Sequence, residues 1–285
     1  VIAERLVTRL TTHRKRKNLK AVWSEATKTK DTLQGAYRYF YNLYMRTARL
    51  VGLVFLASAA LAQQQQPVEI TSEPRHHLVF ENEYVRVFDV TVAPRDTTLV
   101  HRHNHDYLFV TLGDSDVVSA RPGEKPVSLV LKDGEVRFTP GNFAHAAINN
   151  SDRPFHNITI ELLKPSANVK TCTEACVTRP YKCPDDGNLC PQSEKRISAD
   201  QWTVSLVTLP PSAQMEQRTN APPRLIVAVS DLNFAGPPET AGNDIKRAPG
   251  YVGWVPAGVS HPLTNNSSKP AQFVTLEFKP EQQKQ

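Results

Sequence analysis

From about residue 67 onward, the chain breaks into short runs in which apolar and polar positions alternate. Across residues 84–92, Val85, Val87, Asp89 and Thr91 alternate with Arg86, Phe88, Val90 and Val92. Successive side chains of a strand point to opposite faces, so this run predicts a strand with two distinct faces. Residues 107–112, 127–131, 136–139 and 157–163 follow in the same style, rich in Val, Leu, Ile, Phe and Thr. Gly113-Asp114, Pro122-Gly123, Asp133-Gly134 and Pro140-Gly141 punctuate them. Short strands at this spacing, with no helical period between them, predict an all-β barrel or sandwich.

The pattern then repeats. Val90-Thr91-Val92-Ala93-Pro94 is matched 117 positions later by Val207-Thr208-Leu209-Pro210-Pro211. At the same offset Leu108 falls on Leu225 and Asp114 on Asp231. Near the end of each unit, Gly134, Pro140, His145 and Asn149 are matched by Gly250, Pro256, His261 and Asn265, an offset of 116. One β unit is therefore duplicated within the chain.

Charge changes the picture only once it is located. The net charge is +6, but residues 1–62 hold 12 of the 34 basic residues and 3 of the 28 acidic ones. From Gln63 on, 22 basic residues face 25 acidic ones. The body is mildly acidic, which argues against nucleic acid as a partner. The basic segment reads as a targeting signal: Met45, Arg46 and Arg49, an apolar run over 50–61, small residues at Ala59, Ala60 and Ala62, then glutamines at 63–66. That order is expected of a secretory signal peptide over 45–62, cleaved after Ala62. The run is too short to span a bilayer, so no stable membrane insertion is expected after cleavage; an uncleaved N-terminal anchor is the competing reading. Residues 1–44 read as sequence upstream of the true start at Met45.

The four cysteines, Cys172, Cys176, Cys183 and Cys190, lie in one Pro/Asp/Asn/Gly-rich stretch. In an exported protein this predicts two disulfides, with three pairings open. A zinc site is the alternative, but the spacing C-x3-C-x6-C-x6-C lacks close pairs at both ends. The expected order is a first domain over 63–168, a Cys-rich connector over 169–199, a second domain over 200–280 and a tail at 281–285. The protein is expected to be secreted or periplasmic.

The candidate chemistry sits in the first unit. His101 and His103 are two apart on a predicted strand, so both imidazoles face one way. His145 follows the Pro140-Gly141 turn on a later strand that can return beside the first. Three neutral imidazoles meeting at one point suit Fe, Mn, Ni, Cu or Zn as divalent ions. His76, His77 and His156 have no such companions and read as structural or exposed. His105 is expected in a turn, and Asn149 as a turn or hydrogen-bonding residue.

These residues resemble the cupin superfamily, whose motifs read G-x5-H-x-H-x3-4-E-x6-G and G-x5-P-x-G-x2-H-x3-N. His101, His103 and Gly113 stand for the first motif, and Gly134, Pro140, His145 and Asn149 for the second. The inner glycine comes one place early, as Gly141, with Asn142 in its slot. The acidic ligand position holds Tyr107, with Asp106 just before it. The resemblance implies two tandem cupin-type barrels (double-stranded β-helices, or jelly rolls), with Asp106 or Tyr107 as a fourth ligand beside the three histidines. In the second unit Arg218 and Asn220 replace the H-x-H pair and only His261 survives. That barrel is expected to be metal-free, with Arg218, Asn220 and His261 as a pocket for an anion or as relics of a decayed copy.

Cupins range over dioxygenases, isomerases, decarboxylases, epimerases and binding or storage proteins, and fold alone does not choose among them. The expectation is an exported metal-binding protein acting on a small organic molecule, as an oxygenase, or else a non-catalytic binder. The resemblance also implies barrels that pair through sheet edges, hence a homodimer.

Overall fold

The computed structural model describes residues 66–172, 177–178, 190–236 and 243–279, together with Arg38, Tyr41, Tyr44 and Met45. The rest of the expected signal segment, Cys176, Cys183 and the tail at 281–285 lie outside the described residues. The chain divides into two compact units, 1–65 and 66–285. No helix among the described residues is long and apolar enough to cross a membrane.

The second unit is almost entirely β. Its first half contains β1 (Val68–Glu69), β2 (His76–Glu81), β3 (Val85–Val92), β4 (His101–His103), β5 (Tyr107–Leu112), β6 (Ser115–Ala120), β7 (Val127–Leu131), β8 (Val136–Thr139), β9 (Phe143–Asn149) and β10 (Phe155–Leu162). They form two five-stranded sheets, ordered β2-β3-β10-β5-β8 and β1-β4-β9-β6-β7. The alternation read in residues 84–92 explains the layering. Phe88, Val90 and Val92 turn inward with Val117, Leu131 and Phe155 to fill the barrel. Val85 and Val87 turn outward.

The outward face is covered by the second half of the chain. There a seven-stranded sheet is built around Trp202–Leu209, Ala271–Phe278 and Arg224–Ala228. Its opposing layer is reduced to two-stranded pieces, Gln214–Met215 with Leu263–Thr264 and Leu232–Phe234 with Ile245–Arg247. Val85, Val87, Leu108, Val110, Ile158 and Ile160 pack in one core with Trp202, Val204, Leu225, Val227, Val274 and Leu276. Each of the first six stands 116 or 117 positions before its counterpart in the second. The same face of each repeat therefore buries the other's. Each such aliphatic side chain contributes about 1.5–3 kcal/mol when removed from water, and neither half could leave this face in water without a large apolar patch.

The packing is reciprocal in detail. A Cβ on Gly134 would stand 3.2 Å from Val229, and one on Gly250 would stand 3.3 Å from Leu112. Leu112 and Val229 are themselves counterparts, as are the two glycines, so the halves are related by an approximate two-fold axis. His156, read as structural or exposed, bonds Asp89 through Nε2 at 2.8 Å and meets Gly250 at this junction.

The motif asparagines act as clamps in both halves. Asn149 donates from Nδ2 to the carbonyls of Val92 (3.1 Å), Ala93 (3.1 Å) and Arg153 (2.7 Å), while its Oδ1 accepts from the N–H and hydroxyl of Ser151. Asn265 repeats this with Leu209 (2.9 Å), Lys269 (2.8 Å) and Ser267. Both are buried. A buried amide that satisfies several backbone groups ties the end of β9, or of its counterpart, to the neighbouring strand.

Candidate metal centre

The histidines meet because of register. On the antiparallel pair β4–β9, His101 lies directly opposite His145, and His103 lies opposite Phe143. His103, two residues from His101, shares its face. All three imidazoles are buried. His101 Nε2 stands 3.2 Å from His103 Nε2, which stands 3.2 Å from His145 Nε2. Among the described residues, this is the one group of three or more His, Cys, Asp or Glu side chains close enough to share an ion.

The donor set fits a transition metal. Two nitrogens each bonded at about 2.0–2.1 Å to one ion stand no more than about 4 Å apart, and 3.2 Å lies within that limit. The outer nitrogens are arranged to leave the inner ones free. The Leu99 carbonyl lies 2.9 Å from His101 Nδ1 and can only accept, so the proton sits on Nδ1 and the Nε2 lone pair points inward. His145 Nδ1 bonds the Ser119 hydroxyl at 2.9 Å. His103 Nδ1 is buried without a partner. That ring is held by stacking instead, on Tyr107 at 4.0 Å and 14° and on Phe143 at 5.6 Å and 24°.

Burial also keeps the rings neutral, as metal binding requires. Desolvation, with the charge of His76 added, brings His101 down to about 4. Desolvation and His101 bring His145 to about 3. The same burial, reinforced by the two flanking histidines, pushes His103 lower still.

Two expected ligands stand elsewhere. The Asp106 carboxylate accepts the Gly141 N–H at 2.9 Å and is not part of the histidine group. Tyr107 is buried face-on to His103, and its phenol meets the side chain of Thr139. Burial raises that phenol to about 12, so in the metal-free protein it is a neutral wall of the site. The shifted glycine also has a structural reason. A Cβ on Gly141 would come 2.4 Å from the His105 carbonyl carbon, so the chain there admits no side chain. Asn142 takes the left-handed conformation, φ 62°, and donates its N–H to the His103 carbonyl at 2.7 Å. Asn tolerates that conformation where most residues do not.

The sequence reading missed the shell behind His101. His76, read as structural or exposed, is buried on β2 with its ring 4.5 Å from that of His101. Its Nδ1 lies 2.7 Å from Glu73 Oε2. Glu73 is buried too, and accepts the N–H groups of Arg75 (2.8 Å) and Leu99 (3.1 Å). Burial works to raise its pKa, but the bonds from His76, Arg75 and Leu99 and the His76 charge outweigh burial and bring it to about 2. The only trace in the sequence is the spacing of Glu73 and His76, which is not specific.

Above the rings lies a cavity of about 430 Å³ between the two sheets, walled chiefly by Phe109, Val117, Leu129, Phe138 and Phe143. Arg121, Lys125 and Arg137 reach it, with Glu124 the one acidic side chain on its lining.

The second half has a smaller cavity, about 330 Å³, lined by Arg218 and His261 among others. Asn220 does not line it; it is exposed in a turn with φ 54°. The Arg218 guanidinium bonds both carboxylate oxygens of Glu277, so its charge is already met and does not await an anion. Cys172 and Cys190 are each disulfide-bonded.

No family model and no curated protein matches the sequence. Among solved structures, the chain is similar to AerE from Microcystis aeruginosa, at 12% identity and a TM-score of 0.47 over 73% of this chain and 99% of that one. It is similar to a point variant of salicylate 1,2-dioxygenase from Pseudoaminobacter salicylatoxidans in complex with gentisate, at 13% identity and 0.49 over 79% of each. A cupin domain from Bordetella pertussis aligns at 27% identity and 0.30, over 35% of this chain and 97% of that one.

Proposed function

We propose that this tandem cupin is an exported protein whose first barrel binds a divalent transition metal and acts on a small organic molecule, as an oxygenase. The observation that carries this reading is the convergence of the His101, His103 and His145 Nε2 atoms at the base of a walled cavity. Fe, Mn, Ni, Cu and Zn all suit imidazole donors. A metal held there would supply Lewis acidity and open positions for a small molecule. The protein's own residues do the rest. Leu99 and Ser119 orient two of the rings, Tyr107 and Phe143 hold the third, and Phe109, Val117, Leu129 and Phe138 give the cavity apolar walls. Export is supported by the n-region, apolar run and small-residue end over 45–62, and by the bonded state of Cys172 and Cys190.

The test is elemental analysis of protein purified from its native compartment, followed by oxygen uptake on catechols and flavonols. Near-stoichiometric metal is expected, lost in His101→Ala and kept in Arg218→Ala. Wild-type protein without metal would sink the reading. Tight metal without turnover would favour capture of a small molecule outside the cytoplasm, a reading that the absence of a carboxylate from the histidine group already favours.

A further inference from the structure

The first-barrel cavity is unbalanced in charge. Its base is three buried imidazoles, and among the described residues no carboxylate joins them. Asp106, the nearest acid in sequence, is turned to the Gly141 N–H. Three cationic side chains reach the lining against one acid. Of the three, Arg137 is engaged by Glu135 at 2.7 Å. Lys125 is exposed at the rim.

Arg121 differs from both. Its guanidinium lies over the Phe143 ring, 3.9 Å from the centroid. Phe143 in turn packs against His145 (5.2 Å) and His103 (5.6 Å). One ring layer therefore separates the cation from the histidines. Stacking occupies the face of a guanidinium and leaves its N–H edge available. Glu124 forms a long, exposed ion pair with it at 3.9 Å, without a hydrogen bond, so the fork keeps its N–H groups for a ligand. The planar fork of Arg matches a carboxylate with two parallel bonds, and the Arg121 side chain, 38% exposed, lines the cavity from its solvent side.

We propose that the cavity selects a small organic carboxylate with an apolar body, its carboxylate held by Arg121 and its body among Phe109, Leu129 and Phe138. This rests on the reading of the cavity as the substrate site and names the class of molecule that it takes. An uncharged molecule of the same shape would gain no charge-assisted bond from Arg121, and a cationic one would be repelled by it.

Calorimetric titration of the full chain with benzoate and with benzamide, its uncharged near-isostere, tests the assignment. Wild type should bind benzoate at least about tenfold more tightly, as expected for a charge-assisted bidentate contact. Arg121→Gln should bring the two within about twofold by weakening benzoate alone, and Arg121→Lys should restore part of the difference. Equal binding of the two by wild type, binding of neither, or a preference unchanged in Arg121→Gln would each overturn it. Metal content, measured on the same samples, separates this from the function above. Arg121→Gln should keep the wild-type metal. Wild-type protein that carries no metal when purified from its native compartment, yet prefers benzoate, would sink the metal reading while leaving the carboxylate site standing.

Discussion

Glu73 holds His101 without touching it. One Glu73 oxygen accepts the Leu99 N–H at 3.1 Å, and the Leu99 carbonyl accepts the His101 Nδ1–H at 2.9 Å. The other oxygen takes His76 Nδ1 at 2.7 Å, and the His76 ring packs 4.5 Å from His101. A buried carboxylate thus positions a ligand imidazole through the backbone of Leu99 on one side and a second imidazole on the other.

Removing that carboxylate should affect both fold and site. Glu73→Ala leaves the buried His76 Nδ1 and the part-buried Arg75 and Leu99 N–H groups without their acceptor and should cost about 2–4 kcal/mol. It should also weaken metal affinity by about 10–100-fold, as loss of an orienting partner does. Glu73→Gln, which keeps the shape but cannot accept on every side, should fall between. Urea unfolding and a competitive metal titration read the two effects separately. An unchanged affinity in Glu73→Ala would show that Leu99 holds its place unaided.

The pH dependence of the metal-free protein follows from the histidines. His101 and His145 fall from an ordinary 6.5 to about 4 and about 3. Below 6.5 the unfolded chain takes up protons that the folded rings refuse, so stability should fall as pH drops from 6.5 towards 4. Glu161 acts in the opposite sense. Burial raises it to about 7, against the lowering effect of Arg86, so its contribution declines as pH rises from 4.5 to 7. More histidines than carboxylates act in the shared window, and the net slope below 6.5 should be positive. Melting curves in chelator from pH 4.5 to 7.5 would show it, and Glu161→Gln should steepen the rise and increase the melting temperature at pH 7.5. A flat profile would mean that the rings are solvated.

Tyr107 separates wall from ligand. Tyr107→Phe keeps the stack on His103, and bound metal should stay at the wild-type level. Tyr107→Ala removes a buried ring and should cost about 3–5 kcal/mol, with loss of metal as His103 loosens. A visible charge-transfer band in metal-loaded wild type that vanishes in Tyr107→Phe would instead mark a coordinating phenolate.

The asparagine clamps predict paired stability without paired chemistry. Asn149→Ala takes the amide donor from three backbone carbonyls and Asn265→Ala from two, and each should cost about 2–4 kcal/mol. Only the first lies on a strand that carries a metal-binding histidine, so Asn265→Ala should retain its metal after refolding. Chemical denaturation with metal analysis of the folded fraction checks both.

Much of this was legible in the chain itself. Period-two alternation and the placing of turn residues predicted strands at 107–112, 127–131 and 136–139, where β5, β7 and β8 lie. Spacing alone put His101 and His103 on one face, and the offsets of 116 and 117 predicted two copies of one β unit. The second pocket was not legible. Sequence offset placed Asn220 where His103 stands, but without a strand beneath it the residue sits exposed in a turn. Arg218 looked like a free cation only because Glu277, 59 residues away, is its neighbour in space alone.

By itself the sequence determined what depends on local geometry: the strands, the duplication, and the common direction of two histidines two residues apart. Tertiary structure alone decided what depends on residues far apart in the chain. It set His145 opposite His101 through the β4–β9 register, turned Asp106 away to Gly141, and brought Glu73 and His76 behind the site. It also decided which outward faces of the two barrels would bury each other. Alternation says that a face is apolar, but only the packing of one repeat on the other says what covers it.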